Sequence, residues 1–157
     1  MDLKKIERLK VMKTVREILK KKGSVVYSVT PDTTVYDALL IMAEREIGAL
    51  AVLEGDSLSG IISERDYARK VILHGKSSKE LPVKEIMSPE VIFVRPENTT
   101  EECMALMTAK RIRHLPVIED KKLAGLVSIG DIVKATIDEK EFIIDQLTNY
   151  ISRTPGI

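Results

Sequence analysis

The chain is written twice, and that repetition limits its fold more than any other feature. Pro31-Asp32-Thr33-Thr34-Val35 returns as Pro96-Glu97-Asn98-Thr99-Thr100, and the offset of about 65 positions holds without a gap to Asp66 and Asp131. Within it Met42 matches Met107, Ile47 matches Ile112, Leu50 matches Leu115 and Val52 matches Val117. Gly60 matches Gly125, Ser63 matches Ser128, and about 11 of the 36 paired positions are identical. The openings Val15-Arg16-Glu17-Ile18-Leu19 and Val83-Lys84-Glu85-Ile86-Met87 also correspond, once a few residues of slack are allowed. A unit of roughly 60 residues buries only about 60% of the surface its unfolded chain exposes. Two such units are therefore expected to stack their sheets into a shared core with pseudo-twofold symmetry.

Each copy carries the same order of elements. A short helix comes first (Val15 to Lys22; Val83 to Met87). A β-rich run follows (Val25 to Val29; Val91 to Val94), ended by Pro31 or Pro96. A second helix is capped by Thr33 or Thr34, with Ala38, Leu39, Met42 and Ala43 at helical spacing, and Cys103, Met104, Met107 and Thr108 repeat it. Two short strands then form a hairpin around Glu54-Gly55-Asp56, or around Glu119 to Lys122. A last helix starts near Glu64 or Ile129. The reading is α+β: two β-α-β-β-α motifs, the first at 14–76 and the second at 77–138. Residues 1–13 read as a helical extension and 139–157 as a C-terminal helix and tail. Phe142, Ile143, Gln146, Leu147, Tyr150 and Ile151 share one side of that helix and need a surface to cover.

Composition removes several function classes. With 25 basic and 24 acidic residues among 157, the net charge is +1, without the basic excess of a phosphate-neutralising nucleic-acid binder. Aromatics are 4% and Trp is absent, which argues against a base-stacking platform. The single cysteine, Cys103, supports neither an intrachain disulfide nor a cysteine-based metal site, and it reads as core packing. No apolar run approaches the roughly 20 residues of a membrane span, and the start lacks a signal-peptide core. A cytoplasmic protein is expected. No nucleophile–base pair, His/Cys cluster or Gly-rich phosphate loop suggests an enzyme or a required metal.

This arrangement resembles the CBS (cystathionine-β-synthase) domain pair, or Bateman module, over about Thr14 to Thr136. The resemblance is carried by Ile47-Gly48-Ala49-Leu50-Ala51-Val52 with Gly60 to Asp66, and by Ile112-Arg113-His114-Leu115-Pro116-Val117 with Gly125 to Asp131. Two such matches, each a fixed distance behind a matching strand, are specific where one would be weak. The resemblance implies a non-catalytic module that holds an adenosyl ligand in clefts between the motifs: AMP first, with ADP, ATP, NAD(H) or S-adenosylmethionine as further members of the class. It implies that Asp66 and Asp131 take the ribose hydroxyls, with Ser63 and Ser128 at the sugar or phosphate. Adenine would lie in an apolar slot at Val26-Tyr27 or Val91-Ile92. Arg113 and His114, ahead of Leu115 and Pro116, would meet phosphate, where the first copy has Gly48, Ala49 and Leu50. It also implies a homodimer, and signalling to a protein partner that the chain does not name.

Chemistry agrees at several points. A carboxylate accepts two hydrogen bonds from a cis-diol, and a helix N-terminus offers free N–H groups to an anion. Arg65, Arg69 and Lys70 add cations on the first of these helices. If His114 meets phosphate as a cation, binding weakens above about pH 7, because free imidazole titrates near 6.5. The bland alternative is that Ser-x-x-Asp before an apolar helix is a capping pattern. Thr34-x-x-Asp37 and Thr99-x-x-Glu102 share that spacing without being expected at a ligand. The two clefts are not equivalent, since Gly48 faces Arg113 and Arg65 faces Gly130 in the repeat. Lys20 to Lys22 read as a solvated helix end, and His74 as a surface residue of the linker. A purely structural dimerisation module is the alternative function.

Overall fold

The computed structural model describes residue 3, residues 13–23 and residues 25–152; the N-terminal extension expected at 1–13 lies almost wholly outside them. Helix α1 (Val15–Lys22) is capped by Thr14, whose hydroxyl accepts from the Glu17 N–H, and carries three lysines in its last turn. Gly23, at φ 96°, ends it and donates to Leu19 O at 2.7 Å. A positive φ of this kind is cheap only for glycine.

The first motif then runs β1 (Ser28–Val29), α2 (Val35–Arg45), β2 (Ala49–Glu54), β3 (Ser57–Ser63) and α3 (Glu64–Lys70). β1 pairs in parallel with β2, and β3 runs antiparallel beyond it. The second runs α4 (Thr100–Lys110), β4 (His114–Glu119), β5 (Lys122–Ser128) and α5 (Ile129–Ser152). Here the first strand shrinks to one parallel bridge, Val94 to Val117. The β-rich runs expected at Val25–Val29 and Val91–Val94 are thus mostly irregular backbone. The helix expected at Val83–Met87 is a single 3-10 turn, Val83–Glu85. The separate tail helix is a continuation of α5, which is 24 residues long.

The pseudo-symmetry is visible in detail. Both hairpins carry a register shift at the same place, Val52/Leu53 and Val117/Ile118. Both α2 and α4 end in a left-handed residue, Glu46 at φ 54° and Arg111 at φ 53°.

The shared core expected from the repeat is not what forms. There are two cores, and each is closed by the opening segment of the other copy. Val15, Ile18 and Leu19 of α1 pack with Val94, Cys103, Met107, Leu115, Val117, Val127 and Ile132 of the second motif. Val83 and Ile86 pack with Val29, Val35, Met42, Leu50, Val52 and Ile62 of the first. The backbone repeats the exchange. Val15 N–H donates to Asn98 O and Arg16 N–H to Pro96 O, while Val83 N–H donates to Thr33 O and Lys84 N–H to Pro31 O. Ion pairs follow suit, Arg16 with Glu97 and Lys84 with Asp32. A short helix cannot bury its apolar stripe alone, and the partner motif supplies the open face.

Candidate functional site

Ser63 and Ser128 stand where β3 and β5 turn into α3 and α5. Each is joined to the aspartate three residues on. Asp66 N–H donates to Ser63 Oγ at 3.2 Å, and Asp66 Oδ2 accepts from the Ser63 N–H at 2.9 Å and its hydroxyl at 3.0 Å. Asp131 N–H donates to Ser128 Oγ at 3.1 Å, and Asp131 Oδ2 accepts from the Ser128 N–H at 2.8 Å. The capping reading is therefore real at both places. The two threonine caps differ. Asp37 and Glu102 N–H groups donate to Thr34 and Thr99 at 3.2 Å, but Glu102 accepts from the Asn98 side-chain amide. The reciprocal carboxylate bond is made at the Ser-x-x-Asp pair in each motif, and it orients both aspartates at the strand–helix junction.

Each aspartate also holds a lysine, from different places. Lys70 Nζ lies 3.2 Å from Asp66 Oδ1, one helical turn away, and donates to Ile86 O at 2.8 Å. Lys22 Nζ lies 2.6 Å from Asp131 Oδ2 and donates to Leu126 O at 2.8 Å. The end of α1 is exposed, as expected for Lys20 to Lys22, but two of its lysines also have partners: Lys22 binds Asp131, and Lys21 pairs with Asp138 at 3.1 Å. Burial pushes the Asp131 carboxyl upward, but the Lys22 ammonium and the Ser128 donors outweigh it, so it titrates below the usual carboxylate range. Lys70 is legible in the sequence as an i,i+4 partner of Asp66. Lys22 is not, because only the crossing of α1 onto the second motif brings it there.

His114 and Gly48 meet across the two motifs: a Cβ on Gly48 would stand 3.5 Å from His114 Cε1 and Nε2. His114 is also the register partner of Ser128, as Ala49 is of Ser63. The Arg113 carbonyl accepts from the Ile129 N–H at 2.8 Å, and the Gly48 carbonyl from the Glu64 N–H at 3.0 Å. Burial, then the charge of Lys22, lowers the His114 pKa below the ordinary imidazole value, against the pull of Asp131. Arg113 is exposed. Arg65 is exposed too and donates across the motifs to Arg111 O at 3.3 Å.

Other expected contacts lie deeper. Leu50 and Leu115 are fully buried in the two cores, and Ala49 and Pro116 are buried beside them. Val26, Tyr27, Val91 and Ile92 are half-buried. Tyr27 packs on the first core beneath the Arg45 guanidinium, 4.7 Å from the ring centroid, and Ile92 packs on the second. A cavity of about 190 Å³ opens between α1 and α5, bounded by Lys22, Asp131, Lys134, Lys21 and Lys13 over an apolar floor of Ile18 and Ala135. Among the described residues no cluster of His, Cys, Asp or Glu is placed to hold a metal ion. Among them, too, no helix is long and apolar enough to cross a membrane.

Known proteins share this pattern. The family model described as "CBS domain" matches residues 14–72 and 83–138. The chain is 44% identical over 147 residues to the CBS domain-containing protein CBSX3, mitochondrial, of Arabidopsis thaliana, covering 88% of this chain and 71% of that one. A solved structure of a putative signal-transduction protein with CBS domains from Burkholderia ambifaria is 53% identical, with a TM-score of 0.78 over 80% of this chain and 95% of that one. The fold also matches the CBS domain pair of protein MJ0100, in complex with 5′-methylthioadenosine and S-adenosyl-L-methionine. That match has a TM-score of 0.72 at 21% identity, over 82% of this chain and 99% of that one.

Proposed function

We propose that this chain, which belongs to the CBS-domain family, is a non-catalytic regulatory module that binds adenine nucleotides at Asp66 and Asp131 and signals through dimer or partner contacts. One observation carries the reading: the same Ser-x-x-Asp junction is built twice, with the carboxylate held in place by its serine. Such a carboxylate is preorganised to accept a ribose diol. The adenosyl ligands of the MJ0100 domain pair support the ligand class. AMP, ADP, ATP and NAD(H) are the compounds to try first. Val26-Tyr27 and Val91-Ile92 offer apolar surface for adenine, and Arg113 and His114 stand ready for phosphate in this reading.

For signalling, α5 leaves Ile129, Val133 and Ile137 exposed at i, i+4 and i+8, a stripe suited to a second copy of the chain. The compartment in this reading is the cytoplasm; the mitochondrial address of the Arabidopsis relative makes cell fractionation a direct check.

A second reading, a structural dimerisation module, is favoured by the caps being complete in the free chain. A thermal-shift series with AMP, ADP, ATP, NAD, NADH and S-adenosylmethionine separates the two. Ligand at about 100 times its dissociation constant adds roughly 2.7 kcal/mol. A rise in midpoint that Asp131→Ala or Asp66→Ala diminishes supports the sensor. A midpoint indifferent to all six, in protein free of bound nucleotide, leaves the scaffold.

A further inference from the structure

We propose that Lys22 selects the ligand of the second cleft: its ammonium passes from Asp131 to a phosphate of the incoming ligand. The cleft then takes anionic adenosine nucleotides in preference to neutral or cationic adenosyl compounds. This rests on Asp131 being the ribose acceptor proposed above, and deepens that reading.

The argument begins with who occupies the carboxylate. Asp131 Oδ2 takes the Ser128 N–H at 2.8 Å and the Lys22 ammonium at 2.6 Å. Each carboxylate oxygen has about two lone-pair sites, so Oδ2 is already filled by Ser128 and Lys22, and a diol that puts one hydroxyl on each oxygen competes with Lys22 for Oδ2. Lys22 is also bound to Leu126 O, which keeps its head at the cleft wall.

Lys22 is 40% exposed, so water takes up its ammonium when Asp131 is given to a diol, and the attraction of the pair is lost unless a second anion replaces it. A neutral nucleoside brings none. A phosphate does, and charge-assisted bonds of this kind are the strong ones.

The surroundings provide room for that phosphate. The cavity beside Asp131 is walled by Lys13, Lys21 and Lys134 as well as Lys22. Its acidic lining residues are Glu17, Asp138 and Asp131, and Asp138 is already shared between Lys13 at 3.9 Å and Lys21 at 3.1 Å. The lining thus holds four lysines against three carboxylates, a positive excess that a neutral diol leaves unchanged and a phosphate would meet.

The first cleft also pairs its aspartate with a lysine, but draws it from a different place. Its lysine, Lys70, belongs to the same helix as Asp66 and is tied to Ile86 O. In the repeat of the opening segments, where Val15 answers to Val83 and Leu19 to Met87, Lys22 answers to an exposed acidic residue, Glu90. A lysine delivered by an opening segment is therefore particular to the second cleft.

Titration calorimetry in an Asp66→Ala background isolates the second cleft. The probes are adenosine, 5′-methylthioadenosine, AMP and ATP, on the parent, Lys22→Met, Lys22→Arg and Asp131→Ala. The parent is expected to prefer AMP to adenosine by at least about tenfold. Lys22→Met, a good helix former at that position, should shrink the AMP-to-adenosine ratio about tenfold or more, with adenosine bound no more weakly than before. Lys22→Arg should keep the preference. If Asp131→Ala abolishes binding while Lys22→Met leaves the ratio unchanged, the selection by Lys22 is wrong and the nucleotide-binding role stands. If none of the probes binds, or Asp131→Ala binds them like the parent, both fall.

Discussion

The side chain of Leu19 occupies the space that a Cβ on Gly125 would need: Leu19 Cδ2 lies 2.6 Å from that position. The repeat reproduces the relationship in the other motif, where Met87 Sδ stands 2.8 Å from a Cβ on Gly60. Each glycine is thus the seat for an apolar side chain delivered by the opposite copy. Gly60 is more constrained, because the backbone oxygen of Ser88 is also at 2.8 Å and is held by the pairing of Ser88 with Ile61. Overpacking typically costs about 1–3 kcal/mol. Gly60→Ala should fall near about 3 kcal/mol and Gly125→Ala nearer about 1 kcal/mol, where a leucine end can turn aside. Urea unfolding of both variants checks the order; equal losses would contradict it.

Exchange of opening segments makes the effect of a core truncation appear in the other half of the chain. Leu19→Ala should cost about 2–5 kcal/mol. Hydrogen exchange should quicken first around Leu115, Val117 and Val127, which share its core, and not around Leu50, Val52 and Ile62. Quickening confined to the first motif would refute the exchange.

Histidine 114 sets a pH dependence with a definite sign. Burial holds its folded pKa below the unfolded value near 6.5. Between those two values the unfolded chain binds more protons, so stability rises with pH. The contribution is complete above about 6.5 and is lost as pH falls through the folded pKa. Relative to His114→Gln, the parent should lose stability on acidification from pH 7 to 5. Identical profiles would count against it. The same shift revises the sequence-based expectation for ligand binding: at pH 7 the free imidazole is neutral, so any strengthening through its cation belongs below 6.5.

Cys103 is fully buried in the second core, and burial, then the charge of Glu102, raises its thiol to about 11. The thiolate is the reactive form. A thiol reagent at pH 8 should therefore label the native protein only as fast as it opens. Rapid labelling without denaturant would show that the core around Cys103 opens more readily than its full burial implies.

Loss of the serine caps gives a ligand-free control. Ser63→Ala and Ser128→Ala should each lower stability by about 0.5–2 kcal/mol, in buffer without nucleotide. No loss at either would mean that the reciprocal bonds of the Ser-x-x-Asp pairs contribute nothing in the free chain.

Much of this was legible in one strand of letters. The repeat, the hairpins, the threonine caps and the Ser-x-x-Asp junctions are local patterns, and local patterns depend on residues a few positions apart. The spacing of Ala38 and Met42, or of Cys103 and Met107, announces a helix face whatever covers it. What covers it was not legible. Nothing in Val15 to Leu19 says that it will lie on the second motif, nor does Val83 to Met87 point to the first. The expected shared core was accordingly replaced by two crossed ones. The strands before Pro31 and Pro96 were overread for a related reason: β-branched residues there are held by one or two bridges and by packing, not by a full ladder. Lys22 shows the difference most sharply. Its sequence neighbours make it the end of a basic run, while its partner Asp131 is 109 positions away. Propensity and periodicity act through the nearest turns of chain. Pairing across such a distance is decided by which buried surfaces fit together, and that is a property of the folded molecule alone.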